Sequence, residues 1–181
     1  MQPRRIRRLY SFGVGSANVL FLSESSVIAM SVEPQASKDR LESQIVGNVG
    51  LFYICYRLSL LGWNCMPTAR NARGIDILIY SQDNSRKLSI QVKTLSRLNP
   101  VPLGKHLNHL FADFVIVCSK AASECPECYI LVPSEVRALA HKGVKEDRIS
   151  YWLQPKSYAV PAFHEAWYRI GNGTGTLSII D

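Results

Sequence analysis

No stretch of this 181-residue chain approaches the roughly 18 to 20 uninterrupted apolar residues that a membrane-crossing helix needs, so no membrane span is expected. Acidic side chains are scarce: 14 Asp and Glu stand against 21 Lys and Arg, for a formal net charge of +7. Such a balance favours an acidic partner, either nucleic acid or an anionic surface. No secretory leader and no internal repeat are expected, and the five cysteines are an odd count. Those features point away from a disulfide framework and toward a reducing, cytoplasmic setting. A single CxxC, Cys125-Pro-Glu-Cys128, lacks a second ligand pair at metal-binding spacing, so a solvent-facing loop is expected there rather than zinc. His106 and His109 are the only partners to propose for it, and nothing in the sequence brings them to it. With 47% hydrophobic and 19% charged residues, disorder, collagen and coiled coil are excluded as descriptions of the whole chain.

What positive charge there is lies unevenly. Residues 57–105 hold Arg57, Arg70, Arg73, Arg86, Lys87, Lys93, Arg97 and Lys105 against only Asp76 and Asp83. Residues 106–181 are nearly balanced. Residues 1–29 carry four arginines, are rich in serine and glycine, and show no sustained period. They read as an N-terminal extension outside the core, with residues 30–181 as a single domain; a transit peptide, or a start at Met30, would account for their composition.

Periodicity predicts a helix from an N-cap at Ser37 to Gly62, with Leu41, Ile45, Val49, Phe52, Tyr56 and Leu60 as its apolar stripe. Strands are predicted at 63–66, 75–80, 88–94, 114–118, 128–132 and 151–153. A loop holds Pro100, Pro102 and Gly104, a short helix opens at Pro133, and a closing helix spans 162–170. This order implies an α/β protein with a central mixed sheet flanked by helices.

Two of these strands carry the chemistry. Side chains alternate faces along a strand, so Ile75, Ile77 and Ile79 share one face while Asp76, Leu78 and Tyr80 share the other. In the next strand Leu88, Ile90, Val92 and Thr94 share one face, and Ser89, Gln91 and Lys93 the other. Asp76, Gln91 and Lys93 can therefore converge opposite two apolar faces. A carboxylate and an amide oxygen are hard donors suited to Mg²⁺, and a neighbouring ammonium can orient water beside a phosphate.

The run Arg73-Gly74-Ile75-Asp76-Ile77-Leu78-Ile79, a short turn, and Ser89-Ile90-Gln91-Val92-Lys93-Thr94 resembles the core of the PD-(D/E)xK nuclease superfamily. The Gln-x-Lys form is similar to the Mrr-like and Holliday-junction-resolvase-like branches, and the resemblance extends over residues 38–119. It implies a restriction-endonuclease-like fold and a DNA endonuclease using Mg²⁺ or Mn²⁺. Asp76, Gln91 and Lys93 would then be catalytic, with Asp76, Gln91 and the Val92 carbonyl holding the metal. Nucleic acid would be gripped by Arg70, Asn71, Arg73, Thr94, Arg97 and Lys105, arginine being suited to forked bonding with phosphate. His109, in the long loop after the Gln-x-Lys strand, is a further candidate general base. Cutting both strands would make a homodimer natural. Many relatives also place a glutamate on the first helix, about three turns before its terminal glycine. Here Gly47–Phe52 contains no acid, and Glu42 lies about 13 Å back along a helix. That departure leaves an alternative, an inactive nuclease-fold protein that binds nucleic acid or a protein partner.

Overall fold

The computed structural model describes residues 42–68, 74–146 and 148–174. The N-terminal extension, Ser37 and the Arg70, Asn71 and Arg73 loop lie outside them. A helix, α1 (Ser43–Leu60), leads into strands β1 (Asn64–Pro67), β2 (Ile77–Tyr80) and β3 (Lys87–Thr94). Then come β4 (Val101–Gly104), β5 (Phe114–Ser119), β6 (Glu127–Leu131) and α2 (Pro133–Leu139). Strands β7 (His141–Lys145) and β8 (Arg148–Leu153) precede α3 (Pro155–Tyr158) and a 3₁₀ turn at Trp167–Arg169. Five strands form a central sheet in the order β1-β2-β3-β5-β6, parallel only between β3 and β5. The mixed α/β architecture expected from the sequence is present. An antiparallel sheet, β4-β8-β7, adds a second layer that the sequence did not disclose.

Each face of the central sheet has its own core. Ile77, Ile79, Ile90, Ile116, Cys118, Cys128 and Ile130 pack on the α1 side with Ile54, Leu58, Trp63 and Trp167. On the opposite side Val115, Val117, Tyr129 and Leu131 pack with Val101, Leu103, Leu110, Leu153 and Tyr158. Strands β5 and β6 thus send alternate residues into two cores, which is why they read as near-continuous apolar runs.

α1 ends where expected. Gly62 takes φ 83°, its N–H donates to the Ser59 carbonyl at 2.9 Å, and the Trp63 N–H donates to the Leu58 carbonyl at 3.1 Å. This double bond closes the helix in a Schellman motif that favours glycine. The buried stripe, however, is not the predicted one. Val46, Gly50, Ile54 and Leu58 face the core, whereas Ile45, Phe52, Tyr56 and Leu60 are exposed. Apolar residues run around the whole helix, so spacing alone could not choose between stripes. Close approach decides it: a Cβ on Gly50 would collide with the Thr94 side chain, so α1 crosses β3 at the one position that allows contact.

Two other expectations are corrected, and one unpredicted strand appears. No helix forms at 162–170, because Glu165 adopts φ 48° and turns its carboxylate to the Cys128 N–H (2.7 Å), Trp167 Nε1 (2.7 Å) and Arg57 (2.8 Å). Residues 101–104 are a strand rather than loop, with Val101 and Leu103 buried between exposed Pro102 and Gly104. The polar His141–Lys145 segment is also a strand, held by pairing rather than by an apolar face. Among the described residues no helix is long and apolar enough to cross a membrane.

Gly50→Ala should cost roughly 1–3 kcal/mol in chemical denaturation, through overpacking against Thr94. Part of that loss should return in the double variant with Thr94→Ala, which removes both the Oγ1 and Cγ2 atoms nearest the added methyl group. Phe52→Ser, on the exposed face, should stay within about 0.5 kcal/mol of the parent.

Candidate functional site

Asp76 stands immediately before β2 and prolongs its ladder by other means. Its N–H donates to the Ile90 carbonyl and its own carbonyl accepts from the Thr68 N–H, both at 2.9 Å. Its carboxylate Oδ2 then accepts the Val92 N–H at 2.7 Å, occupying the edge of β3 that β2 would otherwise cover. A residue's N–H and C=O project to the same edge of a strand, so the Val92 carbonyl faces this region too. Ile77 pairs with Ile90, which sets Asp76 beside Gln91.

Gln91 and Lys93 pair with Val115 and Val117 of β5 and share their face of the sheet. This face belongs to the second core, and β3 is a central strand, not an edge. The consequence for Gln91 is burial: it is 4% exposed, and its Oε1 has no hydrogen-bond partner among the described residues. A buried carbonyl left in that state costs about 1–3 kcal/mol unless something else binds it. Burial also pushes the Lys93 ammonium below the ordinary lysine range, and the Asp76 carboxylate only partly opposes that shift.

The loop after β4 walls one side. Asp113 fixes its far end by accepting the Ser89 N–H and Oγ–H, both at 2.7 Å, and buried Leu110 offers its carbonyl to Arg137 at 2.7 Å. The His109 carbonyl lies against Gly74, two residues before Asp76. Its imidazole, 5.7 Å from that of His106, is held below the usual histidine range by burial and then by the Lys93 charge. His109 thus stands on the site's rim with its charged form disfavoured.

Other predicted contacts fall elsewhere. Thr94 faces α1, on the opposite side of β3 from Gln91 and Lys93. Arg97 and Lys105 are exposed, beyond the ends of β3 and β4. Two cations of the basic segment are structural: Arg57 pairs with Glu165, and Arg86 donates to the carbonyls of Ile170 and Asn172 while lying 4.8 Å from the Trp63 ring. Cys128 is a buried core thiol opposite Cys118, whereas Cys125 is exposed, so the CxxC pair shares no environment. Among the described residues no three His, Cys, Asp or Glu side chains cluster as a metal site. The first helix supplies no acid either, since Gly50 touches β3 and Glu42, at the helix start, is exposed.

No protein-family model matches the chain, and no curated protein matches it. One solved structure is similar, that of a bacterial homing endonuclease, I-Ssp6803I, with a TM-score of 0.50 and 16% identity. The match covers 72% of this chain and 93% of that one. The chain shares an endonuclease's fold. In this chain the fold is a mixed five-stranded sheet flanked by helices, with Asp76, Gln91 and Lys93 on one face of the sheet.

Two of these three residues sit at a cost to folding, which gives a test. Gln91→Met should stabilise the metal-free protein by ~1 kcal/mol or more in denaturant titration. Lys93→Met should also stabilise it at pH 7. A depressed amine binds fewer protons when folded than when unfolded, so its penalty is full below the folded pKa. The penalty disappears as pH rises toward the unfolded value of about 10.4. The gain from Lys93→Met should therefore shrink between neutral pH and pH ~10.5.

Proposed function

We propose that the chain is a divalent-metal-dependent DNA endonuclease of the PD-(D/E)xK type, hydrolysing phosphodiester bonds at Asp76, Gln91 and Lys93. The observation that carries this reading is the buried, unpartnered Oε1 of Gln91 beside the Asp76 carboxylate. Oxygen donors of this kind fit Mg²⁺ or Mn²⁺, and Asp76, Gln91 Oε1 and the Val92 carbonyl would hold the ion. Once bound, it supplies Lewis-acid stabilisation of phosphate charge and a water of lowered pKa.

The protein groups have separable tasks. Asp76, fixed by the Val92 N–H, brings the one negative charge and is pre-positioned by backbone rather than by a flexible turn. Lys93 offers a partly desolvated ammonium to the attacking water and to the phosphate, where its charge acts more strongly than it would in bulk water. Gln91 contributes a neutral oxygen where many relatives have an acid, so the substrate phosphate has to bring charge that the protein does not. Arg70, Asn71, Arg73, Arg97 and Lys105 grip the backbone and make binding salt-dependent. The single carboxylate also favours a second reading, a nuclease fold that binds DNA without cutting it.

Purified chain incubated with plasmid, branched and single-stranded DNA should cut at least one of them with Mg²⁺ or Mn²⁺ and none with EDTA. Asp76→Ala and Lys93→Ala should each lower the rate on the order of 10²-fold or more. Gln91→Glu should reduce the Mg²⁺ concentration required. Cleavage indifferent to Asp76 and Lys93 would remove the assignment, and salt-sensitive binding without cleavage would select the second reading.

A further inference from the structure

Strands β7 and β8 form a ribbon that outruns its own sheet. β4 pairs with β8 only from Val101↔Leu153 to Gly104↔Tyr151, whereas β7 and β8 continue pairing through Gly143↔Ser150, Val144↔Ile149 and Lys145↔Arg148. Beyond Tyr151 the two strands have only each other. Nearly every residue there is exposed: Lys142, Lys145, Arg148 and Ser150, with Val144 at 64% and Ile149 at 40%. A bare two-stranded ribbon is marginal in water, and this one has a brace at its base. The Trp152 ring lies over Gly143, where it leaves no room for a Cβ, and 4.9 Å from the His141 ring.

Cross-strand partners share a face, so Lys145 and Arg148 stand directly opposite one another. Like charges at that spacing repel, and an anion between or above them removes the penalty. A cleft of about 410 Å³ runs from this pair to Gly104 and Lys105 at the end of β4. There begins the loop that carries His109 to the rim of the Asp76 site. The other face offers Lys142, Val144, Ile149 and Tyr151. Two exposed aliphatic residues are far too little for a stable protein interface, which needs about 800 Å² from each partner.

We infer that this ribbon is a duplex-DNA-reading element that enters the major groove and sets where the Asp76 site sits on its substrate, an inference that rests on the DNA endonuclease reading. The three pairs beyond Tyr151, at about 3.4 Å per residue, carry the ribbon ~10 Å past β4, and two strands ~4.8 Å apart fit a groove ~12 Å wide. Lys145 and Arg148 meet phosphates at the groove edge. On the other face Lys142 meets base edges, and Val144 and Ile149 suit thymine methyl groups. Glu146, at the turn with φ 48°, is an acceptor for a cytosine amino group.

The test uses full-length chain and a labelled random-sequence DNA duplex, without metal. Phe52→Ser, on the exposed face of α1 and outside the site, should bind like the parent. A triple variant, Lys142→Ala with Lys145→Ala and Arg148→Ala, should lose roughly tenfold in affinity, and its log K against log salt slope should fall by roughly 2 to 3. Since all three positions are on the surface, its melting temperature should not change. Photo-crosslinking from benzoylphenylalanine placed at Ile149 should label DNA bases in the otherwise intact chain. If parent and Phe52→Ser bind but the triple variant matches them in affinity and slope, or no crosslink forms, the ribbon is not the reader. If the parent binds no duplex at all, the endonuclease reading fails and takes the ribbon with it.

Discussion

The bond between the Asp76 carboxylate and the Val92 N–H, 2.7 Å long, is the contact on which the rest of the site depends. It substitutes a side chain for a strand at the point where β2 stops. One edge of β3 is thereby satisfied by a side chain, and the Val92 carbonyl projects to that same edge. Around this point the sheet is committed: α1 lies against one face through Gly50, and the second core closes the other face beyond Gln91. Gln91 and Lys93 cannot turn away to water without breaking the packing of β3 between β2 and β5.

That commitment explains an apparent defect. A fold selected for stability alone would not keep an unpartnered amide oxygen and a desolvated ammonium next to each other on a central strand. Both groups are oriented before anything binds, and the stability forgone is the cost of that orientation. On the other side of β3, α1 approaches closely enough at Gly50 to leave no room for a side chain there.

The parts of the structure legible in the sequence were those set by local alternation. Ile77, Ile79 and Ile90 sorted to the core and Asp76, Gln91 and Lys93 to the other face, as period-two spacing requires. The helix stop at Gly62 was legible because only one backbone conformation closes it well. What failed depended on tertiary partners. The α1 stripe was ambiguous because Phe52 and Tyr56 are as apolar as Ile54 and Leu58, and the choice came from Thr94 across the interface. Arg57 and Arg86 were counted as a basic surface, yet Glu165 and the carbonyls of Ile170 and Asn172 claim them from far along the chain. The ribbon was invisible because His141–Lys145 has no apolar face to advertise; its strand exists through cross-strand bonds alone.

The claim that unites these observations is that Gln91 Oε1 and Asp76 together wait for a divalent cation. Electron paramagnetic resonance of Mn²⁺ titrated into the full chain, with a duplex DNA carrying non-hydrolysable linkages, measures that directly and needs no turnover. The parent should bind Mn²⁺, and Asp76→Asn and Gln91→Met should each lose that binding while remaining folded. Mn²⁺ binding of equal strength in all three proteins, or none in the parent, would contradict the account.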